Sequence, residues 1–201
     1  MERLLRTART LGRGLPRGKP ALPRLWLITD PARLDDPVAA AGRLPRGAGV
    51  IYRAFGAADA LTTAGALKAI ARRRGLVLLI GADEGLAQAT GADGIHLPER
   101  LLHLARAIRR RHPLWMITGA AHSSLAVRYA RRLGCDAALL SSVFSSRSPS
   151  AGRPLGPTRF AGLVREAGIP VIALGGVTNE TAPALARTGA CGLAAVDGLS
   201  P

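Results

Sequence analysis

A joint between helix and strand, repeated three times, constrains this chain more than any other feature of it. Thr90-Gly-Ala-Asp-Gly-Ile-His-Leu97, Leu133-Gly-Cys-Asp-Ala-Ala-Leu-Leu140 and Thr188-Gly-Ala-Cys-Gly-Leu-Ala-Ala195 share one pattern. In each, a glycine suited to ending a helix is followed within about three residues by a short apolar run. Between the joints lie patterns such as Leu101, Leu104, Ala105 and Ile108, which put apolar groups on one face of a helix. On the same terms, strands are expected near Leu25–Thr29, Gly49–Tyr52, Val77–Ile80, Gly94–His96, Met116–Gly119, Ala137–Leu140, Pro170–Leu174 and Leu193–Val196. Continuous apolar runs of this kind suit a parallel sheet covered on both faces. Alternating with helices, they predict a single-domain α/β fold, the (β/α)8 TIM barrel, in fewer than the roughly 250 residues such a barrel usually takes. An open flavodoxin-like or Rossmann sheet is the alternative. Against it, Asp30-Pro31 follows the first strand, where a dinucleotide fold carries G-x-G-x-x-G.

At 201 residues and 48% hydrophobic content the chain can bury a full core as one domain. With 3% aromatic residues, that core must be built from Ala, Val, Leu and Ile. No apolar run approaches the roughly 20 residues that cross a bilayer. Cys135 and Cys191 each precede an apolar run and read as small buried hydrophobes rather than a disulfide framework or a CxxC metal site, which fits a reducing cytoplasm. Residues 1–22, rich in Arg and interrupted by Gly and Pro from Gly12 onward, are expected to form a flexible basic arm ahead of a barrel over 23–201. An organellar transit peptide has a similar composition. The net charge is +15, and Arg72–Arg74, Arg109–Arg111 and Arg131–Arg132 fall at expected helix ends. The helix dipole favours cations there by about 0.3–1 kcal/mol each. No aromatic-interleaved basic stretch or nucleic-acid motif accompanies the charge, so a nucleic-acid partner is not expected. A homo-oligomer is compatible with the sequence.

In a barrel, function gathers at the carboxyl ends of the strands. That face takes Asp30, Arg53, Gly81, the segment from His96 to Glu99, His122, Ser141, Ser142, Gly175, Gly176 and Asp197. In Ile169-Pro-Val-Ile-Ala-Leu-Gly-Gly-Val-Thr-Asn179, a buried strand ends in two glycines whose amides can approach a ligand. Thr178 or Asn179 is expected to cap the helix that follows. Amides beside a helix N-terminus make a natural phosphate site, and barrels often place one after strands 7 and 8. The plain alternative is that the glycines only turn the chain. His122, in Gly119-Ala-Ala-His-Ser-Ser124, stands where a strand meets a helix start, with Ser123 or Ser124 spaced as an N-cap. Imidazole, with an unperturbed pKa of about 6.5, both takes up and releases a proton near neutrality. The alternative is a loop histidine bonded to backbone. His96 reads as a packed structural histidine, and His103 and His112 are given no role.

These motifs, in this order, resemble the thiamine phosphate synthase and TenI family. The resemblance rests on Leu25-Trp-Leu-Ile-Thr-Asp30, Gly91-Ala-Asp-Gly-Ile-His-Leu97, Ser141-Ser-Val-Phe144, Leu155-Gly156 and Ile172-Ala-Leu-Gly-Gly176. It covers nearly everything after the arm. It implies a (β/α)8 barrel, a place in thiamine biosynthesis and a small phosphorylated thiazole-type ligand. For the synthases it also implies a diphosphate held with magnesium, and there this chain departs. Ile51-Tyr-Arg-Ala-Phe55 keeps Arg53 but has Phe55 where Lys is expected. The Asn-Asp after the third strand is Gly81-Ala82, with Asp83 displaced, and Pro98-Glu99 and Leu101 replace a Gly-Gln and a later Asp. Glu99 alone is a thin substitute for the carboxylates that a cation-held diphosphate requires. Ser145-Ser-Arg-Ser-Pro149 stands where the synthases have a Thr-rich segment ending in Lys. Ser145 and Ser146 are assigned to the phosphate and Arg147 or Arg153 to its charge, against the alternative of a mobile polar loop. Asp197 replaces a Ser, and an acidic side chain there repels phosphate unless it turns away or meets an arginine.

TenI-like members aromatise a thiazole phosphate carboxylate by a proton shift that needs neither diphosphate nor magnesium. Their proposed acid/base is a histidine just after the fifth strand, the position of His122. The expectation is therefore a TenI-like isomerase with His122 catalytic and Arg53 the carboxylate partner. Gly175, Gly176 and Gly198, with Ser145 and Ser146, would surround the phosphate, with no metal and no cofactor. The alternatives are a thiamine phosphate synthase, a transferase that takes magnesium, and a non-catalytic binder or regulator on the same fold.

Overall fold

The computed structural model describes residues 2–12, 22–146, 152–196 and 199. Its strands are β1 (Leu25–Ile28), β2 (Gly49–Tyr52), β3 (Val77–Gly81), β4 (Gly94–Leu97), β5 (Met116–Ala121), β6 (Ala137–Leu140), β7 (Val171–Ala173) and β8 (Gly192–Ala195). Each pairs in parallel with the next, and β8 closes on β1, with Leu25 beside Leu193 and Leu27 beside Ala195. All the expected strands are present, their ends shifted by at most two residues. Six helices cover the barrel between strands: α2 (Pro37–Gly42), α3 (Ala60–Arg74), α4 (Glu84–Ala89), α5 (Ala105–Arg111), α6 (Ser124–Arg132) and α7 (Gly156–Glu166). The side chains of Asp36, Asp83 and Ser123 accept the Ala39, Leu86 and Ala126 amides and so start α2, α4 and α6.

The repeated joint has a structural meaning at the opposite end of the barrel from the site. Asp93 Oδ2 accepts the Leu78 amide of β3, and its other oxygen meets Lys68 Nζ at 2.6 Å. Asp136 Oδ2 does the same one repeat later, accepting from the Ile117 amide of β5 and from Arg109. Each carboxylate joins the start of one strand to a basic side chain of a helix, Lys68 of α3 and Arg109 of α5. In the third repeat the position is Cys191, which keeps the backbone bond to Val171 and fills the space as a buried thiol. Burial pushes both thiols, Cys135 and Cys191, up to about 12, so they stay protonated and unreactive near neutrality.

Side chains alternate along each strand, so the chain builds two apolar layers. Leu25 and Leu27 face the helices, whereas Trp26 and Ile28 face the barrel axis with Ile51, Leu79, Leu139, Ile172 and Ala194. Trp26 is fully buried, and its indole N–H donates to the Pro23 carbonyl at 2.7 Å. Its neighbour across the pairing is Gly49, where a Cβ would enter the indole ring. One large ring matched by one glycine fills an interior that the composition otherwise supplies with aliphatic side chains.

Residues 2–12 are not a flexible arm, and this corrects the sequence expectation for that stretch. Glu2–Thr10 is a helix, α1, with Leu4, Ala8 and Leu11 buried. Those residues recur at helical spacing, and arginines occupy the outer face, a pattern masked by the basic composition. The seat for α1 arises because the segment after β7 winds only into a four-residue 3-10 turn, Ala182–Leu185, against which α1 packs. Asn179 Oδ1 accepts the amides of Arg3 and Leu4, and the Gly12 amide donates to the Ala190 carbonyl. Asn179 thus caps the N-terminal helix from a distant segment, not the helix after β7 that the sequence led us to expect.

Two stability outcomes follow from this packing. Trp26→Ala should cost about 3–5 kcal/mol, read as a lower urea midpoint at unchanged slope. Asn179→Ala should cost about 1 kcal/mol through the lost cap, with Asn179→Asp restoring it because the acceptor remains.

Candidate active site

The carboxyl ends of the strands enclose a pocket of about 830 Å³. Its floor is the top of the inner core, Ile28, Leu174 and Ala194, and its walls are the loops that follow the strands. Arg53, His122, Ser145, Ser146, Gly175 and Gly176 all line it, so the structure brings these sequence-selected residues together. Gly198, Asp197, Arg147 and Ser148 lie outside the described residues.

β5 runs on to Ala121, so His122 is the first residue past the strand, and Ser123 caps α6 behind it. Glu99, which opens the turn after β4, holds this histidine twice. Its Oε2 accepts the His122 amide at 2.9 Å and lies 2.8 Å from Nδ1. A carboxylate at Nδ1 fixes the proton on that nitrogen and leaves Nε2 as the one that takes up a further proton. The side chains are 43% and 39% exposed, which leaves the pair accessible to a ligand. In the sequence Glu99 is only a thin substitute for cation-binding carboxylates; in the structure it meets the imidazole.

Arg53 is fixed by the end of β1. Its amide donates to Thr29 Oγ1 (2.9 Å), its Nε to the Thr29 carbonyl (2.7 Å) and its Nη2 to Asp30 Oδ2 (3.2 Å). Arg33, which the sequence reading did not select, donates to the same Asp30 oxygen through Nε and Nη2. The available signal was the Asp-x-x-Arg spacing of Asp30 and Arg33 in a turn, where the Arg33 amide donates to the Asp30 carbonyl at 2.9 Å. Burial pushes the Asp30 carboxyl up, but the bonds from Arg33 and Ala32 and the charges of Arg33 and Arg53 outweigh it and hold the carboxyl below its ordinary range.

Gly175 and Gly176 lie in the left-handed region, at φ +93° and +63°. A Cβ at Gly175 would stand 2.8 Å from Ser142 Cα, and one at Gly176 would stand 2.7 Å from Phe144 Cβ. The Phe144 amide donates to the Gly175 carbonyl at 3.0 Å, so the loops after β6 and β7 are pressed together. Loop packing alone therefore requires both glycines. The helix N-terminus expected beside them is replaced by a polar turn in which Thr181 Oγ1 accepts the Thr178 amide and donates to the Gly176 carbonyl.

His96 lies in the pocket wall, buried, with Nδ1 2.9 Å from Thr118 Oγ1 on the neighbouring strand. Burial first, and the charge of Arg53 second, push it down to about 3. Among the described residues, two carboxylates line the pocket, Asp83, which caps α4, and Glu99, which meets His122, while Asp30 meets two arginines at the end of β1. Among the described residues no three His, Cys, Asp or Glu side chains converge.

Fold and pocket define a (β/α)8 barrel with its site at the carboxyl ends of the strands. The chain belongs to the thiamine monophosphate synthase family, TMP-TENI, whose family model matches residues 25–199. It is 31% identical over 187 residues to the thiamine-phosphate synthase of Chlorobium limicola, a match covering 90% of this chain and 88% of that one. It is 35% identical over 137 residues to the thiamine-phosphate synthase of Chlorobium luteolum, covering 67% of this chain and 64% of that one. Among solved structures, thiamine phosphate pyrophosphorylase from Pyrococcus furiosus shares the fold, with a TM-score of 0.77 at 22% identity over 88% of this chain and 86% of that one. No helix among the described residues is long and apolar enough to cross a membrane.

His96 gives a pH test. Its folded pKa of about 3 lies below the ordinary 6.5, so folding keeps the ring neutral while the unfolded chain takes up a proton. Stability is therefore full above about pH 6.5 and declines as pH falls toward 3, by on the order of 1.4 kcal/mol per pH unit. Asp30, Glu84 and Glu180, each held below its ordinary value of 3.8 or 4.5, contribute mainly at lower pH, so the interval from pH 6 to 5 reads chiefly His96. Urea midpoints at those two values should differ for the unaltered protein and nearly coincide for His96→Asn.

Proposed function

We propose that this protein is a proton-transferring isomerase of thiamine metabolism, acting on a phosphorylated thiazole-type carboxylate. The observation that carries the reading is the His122–Glu99 pair, 2.8 Å apart at the mouth of the pocket. His122 Nε2 removes a proton from the substrate ring and returns it at a second position, so the ring becomes aromatic with no net gain or loss of atoms. Glu99 holds the imidazole in the reactive tautomer and stabilises its protonated form while the proton is in transit. Arg53, with Arg33 beside it, meets the substrate carboxylate. Gly175, Gly176, Ser145, Ser146 and Gly198 surround the phosphate.

A second reading, thiamine phosphate synthase, is favoured by the names of the relatives at 31% and 35% identity. It needs a diphosphate held with a cation, and Phe55, Gly81 and Ala82 stand where the family resemblance expects a Lys and an Asn-Asp. Two assays on the purified protein separate the readings. The first follows aromatisation of a thiazole phosphate carboxylate tautomer by ultraviolet absorbance. The second follows thiamine phosphate formation from a pyrimidine diphosphate, a thiazole phosphate and magnesium. Turnover only in the second assay overturns the isomerase reading.

In the first assay, His122→Gln should lower kcat by about 10²- to 10⁴-fold with KM nearly unchanged. Glu99→Gln should lower kcat less and alter its pH profile, because the amide keeps a hydrogen bond to the ring but not the charge. Retained turnover in His122→Gln would exclude His122 as the acid/base.

A further inference from the structure

The turn after β2 holds an aromatic side chain where the backbone disfavours one. The Ala57 amide donates to the Ala54 carbonyl at 3.0 Å, closing a four-residue turn. Its two central residues are Phe55 at φ +49° and Gly56 at φ +79°, both left-handed. Turns of this hand take Asn, Asp or Gly at these positions, and a bulky side chain there is strained. Burial does not offset that cost, because Phe55 is 69% exposed. The ring is held from one side: Arg53 Cζ lies 5.1 Å from its centroid, and Arg53 is itself anchored on Thr29 and Asp30. The ring also lines the pocket.

A strained, exposed ring, oriented by a cation and set at the pocket mouth, has its function outside the folded chain's own packing. We propose that Phe55 is a specificity-determining residue whose ring is a stacking platform for a flat heteroaromatic ring of the ligand. The inference rests on the reading that the pocket takes a phosphorylated thiazole-type molecule. It adds that the ring of that molecule, and not its phosphate alone, is recognised, and that one side chain does this. Stacking of aromatic rings supports roughly tenfold selectivity for a ligand that has the ring over one that lacks it.

The test is titration calorimetry on the full chain with 5-(2-phosphooxyethyl)thiazole, using ethyl phosphate as the ring-free control. The unaltered protein should bind the thiazole probe more tightly than the control. Phe55→Asn should lose about tenfold in affinity for the thiazole probe and nothing for ethyl phosphate. It should also gain about 2–4 °C in Tm, because Asn accepts the left-handed backbone. Phe55→Trp should keep the affinity and Phe55→Leu should lose it, which separates stacking from apolar contact. Unchanged thiazole binding in Phe55→Asn, an equal loss for both probes, or no thiazole binding by the unaltered protein each overturns the proposal. The isomerase reading fails on a different result, Phe55-dependent binding of the probe without turnover of the thiazole carboxylate.

Discussion

Pairing of β8 with β1 is the interaction on which the rest of the structure depends. It turns an open parallel sheet into a cylinder with no free edge, and it sets the interior volume that side chains must fill. In this chain Trp26 takes a large share of that volume, and Gly49 next to it gives way. The same inner layer continues upward into the floor of the pocket through Ile28 and Ala194. Core and site are thus one continuous packing problem. A change that loosens the interior near β1 displaces the strand end that carries Thr29 and Asp30, and with them the anchors of Arg53.

The barrel was legible in the sequence because its signals are local and repeated. Every strand is a short apolar run behind a turn, and the Gly at each helix-to-strand joint does the same work each time. What was not legible is what depends on a distant partner. Leu4, Ala8 and Leu11 are spaced for a helix, but their arginine neighbours dominate the composition, and the seat on the turn after β7 is visible only in the fold. Asn179 lies at the expected kind of position for a cap, yet it caps a helix 175 residues away in sequence. In the site, His122 was selected because it follows a strand. Its partner Glu99 is not legible as such, since nothing in sequence relates two residues on neighbouring loops.

The glycine pair after β7 shows how a functional expectation and a packing requirement can occupy the same residues. Gly175 and Gly176 were selected for close approach to a phosphate, and the structure shows close approach to Ser142 and Phe144. Packing against the loop after β6 does not oppose an anion site. It holds that loop, with Ser145 and Ser146, beside the amides, so that hydroxyl and backbone donors line the same side of the pocket. Under the proposed function, the phosphate meets donors fixed by that packing rather than by a helix dipole, since the turn that follows β7 is too short to supply one.

The distribution of charge in the pocket then bears on the chemistry. Asp30 is shared by Arg33 and Arg53, so the end of β1 sets two guanidinium groups beside one carboxylate. Glu99 faces a histidine rather than an arginine, and therefore acts on a group that can change its protonation state. Under the proposed function, the first placement meets an anionic substituent and the second moves a proton. Under the same reading, a substrate carrying both an acidic group and an exchangeable ring proton meets both at once.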